Sequence, residues 1–195
     1  MVTWASGPDQ RIQDLVCIGL GADRYYHRAM ITQGWISAQE TWRCVLSIDP
    51  AGRGGAGSDE MAWAVVAELN GNLFLLESGG TTQGYSEEVL KTLAMRAKRW
   101  NVTQVVVESN FGDGLFSHLL APVMNRVHPC GIEEIRVNIQ KERRIFDVLG
   151  PLIQQHRLVV SSDVIRKDYL EAERNVDSGH ERSLMFQLSR ITAER

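Results

Sequence analysis

The sequence predicts an α/β chain built on a mixed, five-stranded sheet, with an antiparallel meander over the first three strands, parallel crossovers after it, and helices on both faces. Three observations carry that expectation. Apolar runs at 44–48, 61–69 and 73–77 follow one another, the last two through a short turn; after them, strands alternate with helices; and the fourth strand can return to lie beside the first. Consecutive strands on short turns pair antiparallel, whereas strand-helix alternation gives parallel pairs, so both regimes in one chain imply a mixed sheet.

The first strand, Cys44-Val45-Leu46-Ser47-Ile48, ends at Asp49-Pro50, where proline stops regular pairing. The second and third, 61–69 and 73–77, are joined by Asn70-Gly71, the dipeptide suited to a type I′ hairpin turn. A helix opens at Ser86, a good N-cap, with Glu87 and Glu88 at its positive end and Lys98 and Arg99 at its negative end. Val89, Leu90, Leu93, Ala94 and Ala97 give that helix its apolar stripe. The β-branched run 102–107 then ends at Glu108. A second helix covers about 114–127, where Pro122 is expected to kink or restart it. Residues 132–139 alternate as a strand, 141–155 form a helix with a break near Gly150-Pro151, 158–160 a short strand and 163–175 a helix. Residues 1–40 are weakly patterned and are expected to form an N-terminal arm or hairpin packing on a core domain of residues 41–195.

The 195 residues carry 44% hydrophobic and 23% charged side chains and a net charge of −3, close to the average for a soluble globular domain. A chain of this size builds a core without disulfides or a structural metal. Cys17, Cys44 and Cys130 are odd in number and far apart, which excludes a disulfide framework and a paired-cysteine zinc site. No apolar run approaches the roughly 20 residues of a membrane span, and residues 1–11 lack a signal core. A soluble, cytoplasmic protein is therefore expected. The acidic balance excludes a general nucleic-acid coat protein and leaves any nucleic-acid contact to a local patch or to metal ions.

Asp49 closes the first strand and Glu108 the fourth. If those strands lie side by side and parallel, the two acids face each other at the topological switch point where open α/β sheets bind ligands. Adjacent carboxylates repel unless a proton or cation lies between them. Magnesium or manganese suits the pair, since hard cations take oxygen ligands and no His or Cys cluster offers a softer site. Paired ions held this way can activate water and stabilise the leaving oxygen of a phosphodiester. Acids at strand ends also serve simply as turn or capping residues.

The glycine loop Gly52-Arg53-Gly54-Gly55-Ala56-Gly57 lacks the Gly-Lys-Ser/Thr ending of a P-loop and leads into a strand, so it reads as a hairpin beside a substrate groove. Arg53 at its tip is either a DNA-phosphate contact or a solvated arginine. Asp59 is a candidate further metal ligand, or a solvent-facing acid at a strand start. Asp113 suits the N-cap of the helix that follows it. Lys141, Arg143 and Arg144 open a helix where the dipole disfavours cations, a placement that either invites an anionic partner or, more commonly, is solvated surface charge. The five histidines share no ligand spacing, and no serine sits in a G-x-S-x-G elbow.

The strings Ser47-Ile48-Asp49-Pro50-Ala51-Gly52-Arg53-Gly54, Leu69-Asn70-Gly71, Gly79-Gly80 before Gly84-Tyr85-Ser86, and Val107-Glu108-Ser109-Asn110-Phe111-Gly112-Asp113-Gly114 resemble the nuclease half of the terminase large subunit of tailed bacteriophages, called DNA maturase B in the short-tailed group. Lys141-Glu142-x-Arg144-Ile145 and Leu158-Val159-Val160 followed by Val164-Ile165-Arg166 are similar too. The resemblance covers roughly residues 41–195. It implies an RNase H-like fold and a metal-dependent endonuclease that cuts concatemeric double-stranded DNA in the cytoplasm of the bacterial host, using two magnesium or manganese ions. It also implies a terminase ATPase domain, a small terminase subunit and a portal as partners. The family's catalytic aspartate and glutamate fall on Asp49 and Glu108; Arg53, Lys141 and Arg144 are the expected DNA-backbone contacts. Two departures stand out. No Walker-type loop occurs, so the ATPase half is expected to lie outside this chain, with Met1 beginning a fragment or a split or remnant gene product. The chain also stops at Arg195, before the aspartate-rich motif that carries the family's third carboxylate, so the metal site is expected to be incomplete and cleavage slow or absent. The alternatives are another RNase H-like nuclease, such as a junction resolvase, and a non-catalytic docking module of the packaging motor.

Overall fold

The computed structural model describes residues 2–3, 43–50, 60–69, 71–109, 114–136, 141–155, 157–174 and 183–190. In chain order the elements are β1 (Val2–Thr3), β2 (Arg43–Asp49), β3 (Met61–Leu69), β4 (Asn72–Thr81), α1 (Glu87–Arg99), β5 (Gln104–Glu108), α2 (Leu115–Val127), β6 (Gly131–Ile135), α3 (Lys141–Gln154), β7 (Leu158–Val160), α4 (Ser162–Arg174) and α5 (Leu184–Arg190). They fall into two compact units, one of residues 39–68 and 77–138, the other of residues 1–38, 69–76 and 139–195, so β4 gives its first half to the second unit and its second half to the first.

In the first unit the strand order is β4-β3-β2-β5-β6. β2 runs antiparallel to β3, from Arg43 opposite Glu68 to Asp49 opposite Ala62. On its other edge it runs parallel to β5, from Val45 beside Gln104 to Ile48 beside Val107, as expected of the returning fourth strand. β6 continues the parallel side, from Gly131 beside Gln104 to Ile135 beside Glu108. Because side chains alternate along a strand, these registers put Cys44, Leu46, Ile48, Trp63, Val65, Ala67, Val105 and Val107 on one face, and all are buried. The apolar stripes of α1 (Val89, Leu90, Leu93, Ala94, Ala97) and α2 (Phe116, Leu120, Val123, Met124), which pack on each other, complete that core. The opposite face is open: Ser47, Ala62 and Glu68 are exposed, and Val45, Asp49, Ala64, Val66, Val106 and Glu108 are half-buried.

Ser86 caps α1 as expected, its Oγ accepting from the Val89 N–H at 3.3 Å. The cap of α2 is a correction. Its N-cap is Gly114, at φ 79° in the left-handed region that glycine tolerates, with no side-chain cap bond; Asp113 itself lies outside the described residues. Pro122 does not restart this helix, which stays continuous from Leu115 to Val127, held by its buried stripe on both sides of the proline.

In the second unit β7 lies between β1 and the first half of β4 and is parallel to both, with Val2 and Leu73 each in register with Leu158. β7 is the short strand expected at 158–160, and with β1, which was not expected, the sheet has more than the five strands expected. Gly71, at φ +76° in the hairpin turn, lies under the Arg157 guanidinium, whose Nε donates to the Gly71 carbonyl. The break expected at Gly150-Pro151 is also corrected: α3 runs through Pro151, packs on β7, and keeps its last turn through the Gln155 N–H to Pro151 carbonyl bond at 2.9 Å. α5 has its N-terminus capped from α4, since Asp168 accepts from the Ser183 hydroxyl at 2.7 Å and from the N–H groups of Leu184 at 2.7 Å and Met185 at 3.0 Å. Of the arm expected over residues 1–40, only Val2–Thr3 falls within the described residues. β6 ends at Ile135, short of the expected 139, and β4 runs on to Thr81. Among the described residues no helix is long and apolar enough to cross a membrane.

Burial lifts the Cys44 thiol from the ordinary 9.0 to about 12. Its raised pKa adds stability that is complete below about pH 9 and is lost as the pH climbs toward 12. Iodoacetamide at pH 8 followed by peptide mass spectrometry should leave Cys44 unmodified in the folded protein and alkylate it in urea; alkylation without denaturant would contradict its place in the core.

Candidate functional site

Asp49 is the last residue of β2 and Glu108 the last of β5. The parallel register pairs Ile48 with Val107, so one further step along both strands sets Asp49 beside Glu108. Alternation then turns both carboxylates to the open face, opposite the buried Ile48 and Val107. Neighbouring strands are about 4.8 Å apart. Both acids are half-buried and neither is without a partner. Carboxylates at neighbouring strand ends repel one another. A cation between them reverses the sign of that interaction.

The backbone around the pair is fixed on several sides. The Ser109 N–H donates to the Ile135 carbonyl at 2.9 Å, carrying the β5-β6 ladder past Glu108. Ser109 is buried, and its hydroxyl has no hydrogen-bond partner among the described residues. Opposite Asp49 stands Ala62, which is small and exposed. At the other end of the same strands, Arg43 Nη2 donates to Gln104 Oε1 at 3.1 Å and Gln104 Nε2 donates to Glu133, tying β2, β5 and β6 together. A groove of about 720 Å³ runs along α1, lined by residues including Glu87, Lys91, Met95 and Arg99; neither strand-end acid lines it.

Of the residues the sequence singled out, the structure brings together Asp49 and Glu108. Arg53 and Asp59 lie outside the described residues. Lys141 opens α3 with its side chain outside the described atoms, and Arg144, half-buried on the same helix, belongs to the other unit. Among the described residues no group of three or more His, Cys, Asp or Glu side chains could hold a metal ion. Two carboxylates are oxygen donors, the ligand type that hard divalent cations such as magnesium and manganese take.

Sequence reasoning missed a second charged cluster in this unit. Glu77, 4% exposed, accepts from Trp100 Nε1 at 2.7 Å and pairs with Arg96 Nη1, and the Arg96 guanidinium lies 4.0 Å from the centre of the Trp63 ring. The signal was a glutamate closing the apolar run Leu73-Phe74-Leu75-Leu76.

Residues 48–158 match the family model described as the ribonuclease H-like domain of the bacteriophage T7 terminase. The chain is 40% identical over 194 residues to the terminase large subunit of Enterobacteria phage T3, covering 98% of this chain and 32% of that protein, so it spans about a third of that relative's length. Among solved structures, the manganese-soaked nuclease domain of the human cytomegalovirus terminase superposes with a TM-score of 0.50 at 8% identity, covering 66% of this chain and 68% of that one. The nuclease domain of the large terminase subunit of bacterial virus Sf6 gives a TM-score of 0.47 at 8% identity, covering 66% and 70%.

Ligand binding to the folded state raises its stability by mass action. Millimolar manganese should raise the melting temperature of this chain by a few degrees, reversibly with EDTA, and leave Asp49→Asn unshifted; an equal shift in the variant would place the ion elsewhere.

Proposed function

Because the chain belongs to the family of the bacteriophage T7 terminase RNase H-like domain, we propose that it is the nuclease domain of a phage DNA-packaging terminase and that Asp49 and Glu108 are its catalytic, metal-holding pair. The observation that carries this reading is the β2-β5 register, which sets two acids from separate stretches of chain side by side on an open sheet face. The substrate is concatemeric double-stranded DNA. A magnesium or manganese ion held there would supply a Lewis acid for a phosphodiester oxygen and a water of lowered pKa, and the complete site takes two such ions.

The residues of the chain have separable tasks in this reading. Asp49 and Glu108 fix the ion from two adjacent strands, so neither can be moved without the sheet. Ala62 and Ser47 keep the approach to the carboxylates low, which a bulky phosphodiester backbone needs. Asp59 is a further ligand, and Arg53, Lys141 and Arg144 bind DNA phosphates, as cations do on nucleic-acid-binding proteins. Residues 1–40 are an arm on the core of 41–195. The terminase ATPase domain, the small terminase subunit and the portal are the partners, and the host cytoplasm is where they meet.

Two carboxylates without a described third ligand favour weak metal binding, and they also leave room for a second reading, a docking module of the motor that holds the fold without cutting. Nicking of supercoiled plasmid with manganese separates the two. The nuclease reading expects relaxed and linear products, abolished by Asp49→Asn and by Glu108→Gln in folded protein. Cleavage retained in both variants overturns the assignment of the pair, and intact plasmid with the unaltered chain supports docking.

A further inference from the structure

We infer that Arg96 is a positioning residue for the Asp49/Glu108 pair, acting through a stack on Trp63 that fixes β3 beside β2; this rests on the proposed site. Trp63 stands in register with Ile48, one residue before Asp49, on the face opposite the carboxylates. The Arg96 guanidinium covers its ring at 4.0 Å from the centroid. Gly79 of β4 leaves no space on that side, since a Cβ there would run into the indole. Glu77, nearly sealed from solvent, holds the guanidinium and also accepts from Trp100 Nε1 at 2.7 Å, which joins β4 to both the body and the C-cap of α1.

The consequence is geometric. A strand slipping by one residue exchanges its two faces, and here a slip of β3 would put the indole, in place of the Ala62 methyl, beside Asp49. The stack, the ion pair and the indole hydrogen bond all oppose that movement, and the nearly buried Glu77 resists loss of its partner. Arginine suits the position better than lysine because its planar guanidinium stacks on the ring while its N–H groups still reach the carboxylate. None of these groups lies on the carboxylate face, so Arg96 acts on the ion by keeping the small Ala62, and not the indole, opposite Asp49.

Calorimetric titration of the 195-residue chain with manganese, alongside far-UV circular dichroism, tests this. Arg96→Met should keep its circular dichroism spectrum and bind manganese about tenfold more weakly. If Arg96→Met does not fold, Arg96→Lys decides, because it keeps the charge next to Glu77 and loses the planar stack: weakened manganese binding in folded Arg96→Lys supports the inference, and unchanged affinity overturns it. Asp49→Asn serves as the reference. If it binds manganese as the unaltered chain does, or the unaltered chain binds none, the site reading itself fails; if Asp49→Asn loses binding while the Arg96 variants keep it, the site stands and only the role of Arg96 falls.

Discussion

Parallel pairing between β2 and β5 is the constraint on which the rest of this molecule depends. Asp49 and Glu108 lie far apart along the chain, and nothing local brings them together. What does so is a ladder that starts with Val45 beside Gln104 and reaches Ile48 beside Val107 before the acids. A right-handed parallel connection needs a crossover, and α1 is that crossover, started by Ser86 and buried along Val89, Leu93 and Ala97. The burial of apolar side chains on the helix face and the placement of the carboxylates on the open face are thus two results of one register.

The two faces of this sheet divide the work. One is packed with Leu46, Ile48, Val65, Val105 and Val107 and holds the strands in place. The other carries little bulk near the acids, with Ser47 and Ala62 exposed. The charged groups are sorted in the same way. Glu77 and Arg96 pair with each other beside α1, whereas Asp49 and Glu108 are half-buried on the other face. Membership of the terminase RNase H-like family gives this sorting its meaning.

Much of this was legible in the residues. Alternation over 44–48, the β-branched run before Glu108, the Asn70-Gly71 turn and the Ser86 cap each give their element by local chemistry, and the order of elements is enough to return the fourth strand beside the first. What escaped was decided by contacts distant in sequence. Pro151 read as a break, and Pro122 as a kink or restart, because proline removes a backbone bond, yet both lie inside helices that run on through them. α5 was not foreseen as an element because its N-terminus is capped by Asp168, fifteen residues before Ser183. The partnership of Glu77 with Arg96 spans nineteen residues and three dimensions, and a sequence shows only an acid at the end of an apolar run.

The most direct test of the central claim is anomalous diffraction from a crystal of this chain soaked in manganese. The account predicts a manganese peak between residues 49 and 108, with carboxylate oxygens of both within coordinating distance. Well-ordered side chains there that point away from one another, with the manganese bound at some other place, would contradict it.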